Sequence, residues 1–311
     1  LCDLVPSGTV IGTVTDEVCA LTGIPAGLPL ISTGSDKGCE TLGLAVVDSD
    51  KASISLGTTA TIQFSTTEYV EPQQFLPAYP GVLNDHYNPE IEIYRGLWLL
   101  SWFVKEFGTA DAIDAKEKGM APEALLDERI RDLPAGSDGL LLQPYWTAGI
   151  LHPDSLGAVI GFSDYHTRYH FYRAIIEGLC LELYMALRIM EDRSGLTIHE
   201  IRIGGGGAKS DVVCQIAADV FGLPVVRSQT HEACSIGSRS WPRACSPIST
   251  PRPKPWSTSR IRSSPMSAIT RYITTFTSRP TARSTRACAR SIRNSSKSRG
   301  GLHNEQQTVQ R

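Results

Sequence analysis

The sequence predicts an α/β fold in which short strands empty into glycine-bearing turns that open helices, and three stretches carry that prediction. The first is Ile201-Arg202-Ile203-Gly204-Gly205-Gly206-Gly207-Ala208-Lys209-Ser210. Ile201 and Ile203 face one way and Arg202 the other, the two-residue period of a half-buried strand. Ser210 then suits a helix N-cap, and Val212, Val213, Ile216, Val220 and Phe221 recur at helical spacing before Gly222. The second stretch is Pro29-Leu30-Ile31-Ser32-Thr33, which runs into Gly34-Ser35-Asp36, a junction with glycines around a carboxylate. The third, residues 51–64, alternates like two strands joined at Gly57-Thr58-Thr59.

Glycines at the carboxyl end of a strand let peptide N–H groups approach a ligand, and a helix N-terminus behind them favours anions, which suits a nucleotide. Each glycine costs roughly 0.5–1 kcal/mol of backbone entropy unless it has a use, so a run of them favours a ligand over a plain tight turn. The run is not a P-loop. Aligned on Lys209-Ser210, the two glycines of that motif fall on Ile203 and Ala208.

Taken in order, residues 1–28 read as loop and short helix, with Thr13-Val14-Thr15-Asp16-Glu17 as cap and acids and Gly23 as stop. Residues 29–33 read as a short buried strand. Asp36 then stands at the mouth of a helix, where a carboxylate stays ionised and can take a proton from a substrate hydroxyl; it can equally be an Asx turn or a cap. The Gly57-Thr58-Thr59 turn offers N–H and hydroxyl donors together, as a phosphate contact requires. Residues 96–103 open a helix ended by Gly108, and residues 112–131 read as a solvated helical insert whose charges face water. Residues 139–145 form another buried strand, and the chain returns through Gly157-Ala158-Val159-Ile160-Gly161. From His166 to about Arg193 a helix apolar on more than one face is expected between layers, ended by Gly195. His166 and His170 are four apart, but with no H-E-x-x-H glutamate and no third ligand they are assigned no metal.

With 311 residues and 41% hydrophobic content the chain holds one large or two ordinary domains. Its net charge of −2 conceals a division: beyond Gly237 there are 15 basic residues against one acid, Glu305, and before it 15 against 31, giving +14 and −16. The basic end has one Leu and one Val, Leu302 and Val309, too few for an apolar face, so it is expected to be disordered. Eight scattered cysteines with no C-x-x-C pair indicate neither zinc nor a disulfide framework, and a reducing cytoplasm is the default. No apolar run reaches a membrane span, no signal peptide is visible, and a start at Leu1 rather than Met suggests a fragment.

The Asp36 junction, Gly57-Thr58 and the 204–207 loop, joined by Gly157-Ala158-Val159-Ile160-Gly161-Phe162, His166-Thr167-Arg168 and Tyr172-Arg173-Ala174-Ile175-Ile176-Glu177-Gly178, resemble the FGGY carbohydrate kinase family, in particular its xylulokinase-like sugar kinases. The likeness covers residues 1 to about 237. It implies an actin-like ATPase fold of the ribonuclease H type, two α/β lobes closing on a cleft, with phosphate moved from ATP-Mg2+ to the hydroxyl of a sugar or polyol. Asp36 then matches the catalytic base. Gly57, Thr58 and Thr59 match the phosphate-contacting turn, Gly96 a glycine of the nucleotide site, Gly206, Gly207 and Ala208 the loop beneath the adenosine, and Asp211 a polar adenosine contact. Residues 1–50 would end the sugar-side lobe and residues 51–237 would make the ATP-side lobe. Neither membrane nor nucleic acid is expected as a partner, and a homodimer is left open.

Two departures stand out. The Asp-x-Gly-Thr phosphate loop of the family's first lobe occurs nowhere in the chain, which is therefore expected to lack most of that lobe and to be inactive alone, since one lobe cannot exclude water. After His231-Glu232-Ala233-Cys234-Ser235-Ile236-Gly237, similar to the family's Glu-Ala-x-x-Leu-Gly turn, the expected alanine-rich helix gives way to residues 238–311, rich in Arg, Ser, Thr and Pro. A reading-frame shift accounts for that change. The rivals are a genuine basic arm on a non-catalytic actin-like nucleotide-binding module, drawn to nucleic acid or acidic partners, and a non-functional gene fragment.

Overall fold

A computed structural model describes residues 3–149, 153–228, 232–244 and 259–261. Strands β1 (Val10–Thr13) and β2 (Pro29–Ile31) pair antiparallel around helix α1 (Asp16–Thr22), which Thr15 caps by accepting from the Val18 amide at 3.3 Å and left-handed Gly23 ends. The expectation that residues 29–33 are a buried strand is corrected here: Leu30 is 47% exposed, because this ribbon has only two strands and no described layer covers it.

Helix α2 (Asp36–Gly43) leads to the hairpin β3 (Lys51–Leu56) and β4 (Ala60–Phe64). A minor ribbon, β5 (Tyr79–Pro80) with β6 (Tyr87–Asn88), precedes β7 (Glu90–Ile93). Helices α3 (Trp98–Phe107), α4 (Thr109–Glu117) and α5 (Pro122–Ile130) come next, then the antiparallel pair β8 (Leu141–Gln143) and β9 (Ala158–Ile160). The long helix α6 (Arg168–Ser194) is followed by β10 (Glu200–Gly204), α7 (Asp211–Phe221), β11 (Val225–Arg227), α8 (Ala233–Ala244) and β12 (Ser259–Ile261). The central sheet runs β12-β11-β10-β3-β4-β7, with β10 parallel to both β3 and β11 and the remaining pairs antiparallel.

The sheet has two chemically different faces, and the period of two in its strands sets them. Ala52, Ile54, Leu56, Ala60, Ile62, Phe64, Ile201 and Ile203 build one core with Tyr172, Ile175, Ile176 and Leu179 of α6 and with α3 and α7. Buried side chains of this kind each gain about 1.5–3 kcal/mol from leaving water, which is what holds α6 between layers. On the other face lie Ser53, Ser55, Thr61 and Gln63, also buried, and α2 rests on them through hydrogen bonds.

The segment that carries the family resemblance is explained by α6. Arg173 and Glu177, one helical turn apart, form a buried ion pair at 2.7 Å, and Glu177 also accepts from the Gly136 amide and the Ser137 hydroxyl. This ties the helix to a turn in which Ser137 and Asp138 have positive φ. A side chain on Gly178 would meet the Leu142 carbonyl at 2.5 Å, so the helix lies directly on β8 there. The expectation of a buried strand over residues 139–145 is corrected here: β8 spans only Leu141–Gln143 and alternates exposed and buried, since it has a single neighbour. His170 serves the helix start: its Nδ1 accepts from the Thr167 amide at 3.1 Å, and its Nε2 is 3.2 Å from Asp138 Oδ2.

Residues 112–131 are not a solvated insert. Ala115, Leu125, Leu126 and Ile130 are buried, Asp111 just before them is buried and held by Arg168 at 2.7 Å, and Asp127 accepts from Tyr172 at 3.4 Å. Burial raises the Asp127 carboxyl above its usual range, with hydrogen bonds from Ser210 and Tyr172 opposing it. At the other end, α8 passes through Gly237, where a side chain would strike the Cys39 carbonyl, and crosses α2 at Gly43. Beyond it, the reading of the basic end as disordered or out of frame lies outside the described residues, except that residues 259–261 pair with β11.

Candidate functional site

The carboxyl ends of the parallel strands β3 and β10 open into the two glycine turns read from the sequence, the place where open α/β sheets bind ligands. Gly57 N donates to Thr59 O at 2.9 Å, which closes the β3–β4 turn. Gly96 N donates to Thr58 O and Leu97 N to Gly57 O, each at 2.8 Å, so the start of α3 is laid on that turn. At Gly96 a side chain would come within 2.4 Å of the Thr59 carbonyl carbon, which leaves room for glycine alone. The 204–207 loop joins from the other side: side chains at Gly205 and Gly207 would meet Leu56 at 2.7 and 2.8 Å, and Gly207 also touches Leu97. Gly57, Thr58, Thr59, Gly96, Gly206, Gly207 and Ala208 thus gather around Leu56 and Leu97.

Ala208 and Asp211 are joined by a residue that sequence reading passed over. Arg227 Nη1 donates to Ala208 O at 3.2 Å and to Asp211 Oδ1 at 2.7 Å, so strand β11 braces the loop and holds the exposed Asp211 carboxylate. Ser210 caps α7 through the Val213 amide at 3.1 Å, as its place before an apolar helical run predicts.

Asp36 is the first residue of α2 and is exposed; Ser35 caps the helix through the Gly38 amide at 3.0 Å, and Asp36 Oδ1 accepts from the Lys37 amide at 2.8 Å. The helix is pinned to the strand end that bears the Gly57-Thr58-Thr59 turn by its next residues. Lys37 Nζ donates to Ser55 Oγ at 3.1 Å, and Ser55 Oγ donates to Glu40 Oε1 at 3.0 Å. Ser55 lies two residues before Gly57, and Glu40 lies over Gly204, where an added side chain would meet its Oε1 at 2.5 Å. Gln63 Nε2 donates to Lys37 O at 3.0 Å from the same polar face.

Lys37, Glu40, Thr61, Glu90 and Arg227 were not singled out in the sequence. The alternation Glu90-Ile91-Glu92-Ile93 marks β7, but its partner follows only from the fold: Glu90 stands opposite Gln63 and Glu92 opposite Thr61. Burial pushes the Glu90 carboxyl up to about 7, opposed by Lys37 and reinforced by Glu92 and Asp36.

The arrangement fits a nucleotide. The amides of Thr58, Thr59, Gly206 and Gly207 donate to no protein acceptor among the described residues, and Gly206 is open to solvent. Such free amides beside a helix N-terminus suit phosphate oxygens. Among the described residues no group of three His, Cys, Asp or Glu is placed to hold a metal, and no helix is long and apolar enough to cross a membrane.

Comparison with known proteins gives the same picture. A sequence model of the C-terminal domain of the FGGY family of carbohydrate kinases matches residues 52–239. The chain is 31% identical over 239 residues to an Escherichia coli protein named uncharacterized sugar kinase YgcE, covering 76% of this chain and 49% of that one. It is 26% identical over 242 residues to xylulose kinase of Bacillus subtilis, covering 76% and 46%. Among solved structures it superposes on xylulose kinase from Rhodospirillum rubrum with a TM-score of 0.66 and 25% identity, over 84% of this chain and 52% of that one. The chain therefore spans about half the length of the curated relatives it matches. With the α/β, actin-like ATPase architecture of those kinases, this chain belongs to the FGGY family of carbohydrate kinases.

Proposed function

We propose that this chain is the ATP-side portion of a kinase that transfers the γ-phosphate of ATP to a hydroxyl of a sugar or polyol. The observation that carries the reading is the convergence of the Gly57-Thr58-Thr59 turn, Gly96 and the 204–207 loop at the carboxyl ends of β3 and β10, with the α2 N-terminus tied to the same strand end through Lys37 and Ser55. In this reading residues 51–237 form the ATP-side lobe, and residues 1–50 are the end of the sugar-side lobe. The family's use of phosphate donors and the names of the relatives support it.

Phosphoryl transfer depends on positioning and charge neutralisation more than on covalent help from the protein. Thr58 and Thr59 offer amides and hydroxyls to the phosphates, and Gly206 and Gly207 admit the nucleotide close to the backbone. Ala208 and Asp211, braced by Arg227, border the nucleoside. Mg2+ would enter on the phosphate oxygens, with water completing its shell, and spread their charge. Asp36, exposed at a helix N-terminus, offers a carboxyl oxygen to take the proton of the attacking hydroxyl. The described cysteines are unpaired, which suits a reducing cytoplasm.

Two measurements test the reading. Titration calorimetry with ATP-Mg2+ is expected to show binding by this chain with no sugar-dependent turnover, because a single lobe cannot exclude water. In an intact relative, replacing the residue matching Asp36 by Ala is expected to lower turnover by about 10²- to 10⁴-fold at unchanged ATP affinity. Unchanged turnover would remove Asp36 from the mechanism, and absence of ATP binding would remove the reading itself.

A further inference from the structure

Lys37 puts a positive charge where helix α2 meets the strand ends that carry the two glycine turns. It is the second residue of α2, inside the first helical turn, where the helix dipole disfavours a cation. Its side chain runs onto the sheet. Nζ donates to Ser55 Oγ at 3.1 Å, and Ser55 is the register partner of Gly204 in the parallel pairing of β3 with β10. The ammonium therefore lies at the last pair of that register. Two residues of strand, about 6.5 Å, separate Ser55 from Gly57. On the other strand Gly205 follows directly, folded against Leu56.

This charge is not fully used within the chain. An ammonium has three donors. Among the described residues Lys37 gives one to Ser55 and one to Glu40 Oε2, its single ion pair, at 3.5 Å. Strong charge-assisted N–H···O contacts measure about 2.7–2.9 Å, so the Glu40 contact is a long one. Glu40 is engaged elsewhere as well, since its Oε1 accepts from Ser55 Oγ at 3.0 Å and covers Gly204. The Lys37 side chain is 28% exposed, which leaves the third donor an open side to face.

We propose that Lys37 is a catalytic residue whose ammonium binds the terminal phosphate of the nucleotide and neutralises its charge during transfer. This rests on the reading of the site as a kinase centre and adds the residue that counters the moving charge. The glycine-turn amides suit the inner phosphates, whereas the γ-phosphoryl group travels toward the hydroxyl served by Asp36, the chain neighbour of Lys37. In the transfer the bond from the γ-phosphorus to the β–γ bridging oxygen breaks, a bond to the substrate oxygen forms, and Asp36 takes the hydroxyl proton. Lys37 exchanges no proton. It supplies charge and hydrogen bonds to the γ-oxygens, the main need of a loose phosphoryl transition state. Its flexible four-carbon stem lets Nζ turn from Glu40 and Ser55 to those oxygens.

Titration calorimetry on this chain, without sugar, compares ATP-Mg2+ with ADP-Mg2+ in the native form, in Lys37→Gln and in Lys37→Arg. Lys37→Gln is expected to weaken ATP binding by about tenfold or more and to leave ADP binding unchanged, because ADP lacks the terminal phosphate. Lys37→Arg, which keeps the charge, is expected to recover most of the loss. A helix α2 merely loosened by the substitution would weaken ATP and ADP together, and that result overturns the proposal, as does an unchanged ATP affinity. A second measurement uses the native chain alone: after a short pulse of acetic anhydride, peptide mapping is expected to show Lys37 protected by ATP-Mg2+ and not by ADP-Mg2+. Equal protection by both, or by neither, overturns the assignment. A native chain that binds both nucleotides while Lys37→Gln alters neither affinity removes Lys37 and leaves the kinase reading standing; a native chain that binds neither nucleotide removes both.

Discussion

Glu177 receives hydrogen bonds from Arg173 Nε, the Gly136 amide and the Ser137 hydroxyl, at 2.7, 3.0 and 2.8 Å, while buried in the longest helix of the chain. Burial still raises its carboxyl above the usual range, with Arg173 the largest opposing influence. Removing one member of a buried ion pair leaves the other charge uncompensated. Glu177→Ala is therefore expected to destabilise the chain by about 3–5 kcal/mol, read as a lower midpoint in urea. Glu90 makes the opposite case, a carboxyl that the fold holds without a full complement of donors. Its raised value means that the folded state binds more protons than the unfolded one between the ordinary 4.5 and about 7. Its contribution to stability is accordingly present below 4.5 and lost as pH rises to about 7. Urea titrations across this range are expected to show a decline that Glu90→Gln flattens.

At the scale of elements, the decisive contacts are backbone on backbone. The start of α3 lies on the β3–β4 turn, and Gly96 is the residue that permits it. Gly96→Val is expected to push that helix off the turn and weaken ATP-Mg2+ binding by roughly tenfold or more, about 1.4 kcal/mol, in calorimetry. Most turns and caps were legible from local chemistry: Thr15 and Ser210 each cap a helix, and Gly23, Gly195 and Gly222 end one in the left-handed region, whereas at α2 the cap is Ser35 and Asp36, considered as a cap, is the first helical residue. The burial of α4 and α5 was not legible, because their charged residues read as solvent-facing. Asp111 is neutralised by Arg168, 57 residues away in sequence, and periodicity carries no information about such a partner. For the same reason β7 was missed: two glutamates in an isoleucine strand acquire meaning only beside Thr61 and Gln63.

Across the molecule, one apolar core joins the sheet to α3, α6 and α7, and two thiols sit inside it. Burial pushes Cys214 up to about 11, and Cys180, wholly buried, is raised as well. Thiolate is the reactive form, so both are expected to resist iodoacetamide at pH 8 until the core unfolds, whereas Cys19, which is partly exposed, is modified in the native state. Peptide mapping after a short pulse of reagent with and without denaturant would show it. The opposite face of the sheet is polar and is met by α2 through hydrogen bonds rather than apolar packing, so the helix bearing Asp36 is located by directional contacts to the strand end that bears Gly57.

The sequence alone determined the strand-turn-helix junctions, most of the caps and the long buried helix, because these depend on local backbone freedom and on periods of two and 3.6 residues. The tertiary structure decided which of those junctions share one edge of the sheet, that Arg227 braces Asp211 and Ala208, and that Glu90 stands opposite Gln63. Those facts depend on strand order and register between segments far apart in the chain, and only the folded backbone specifies them.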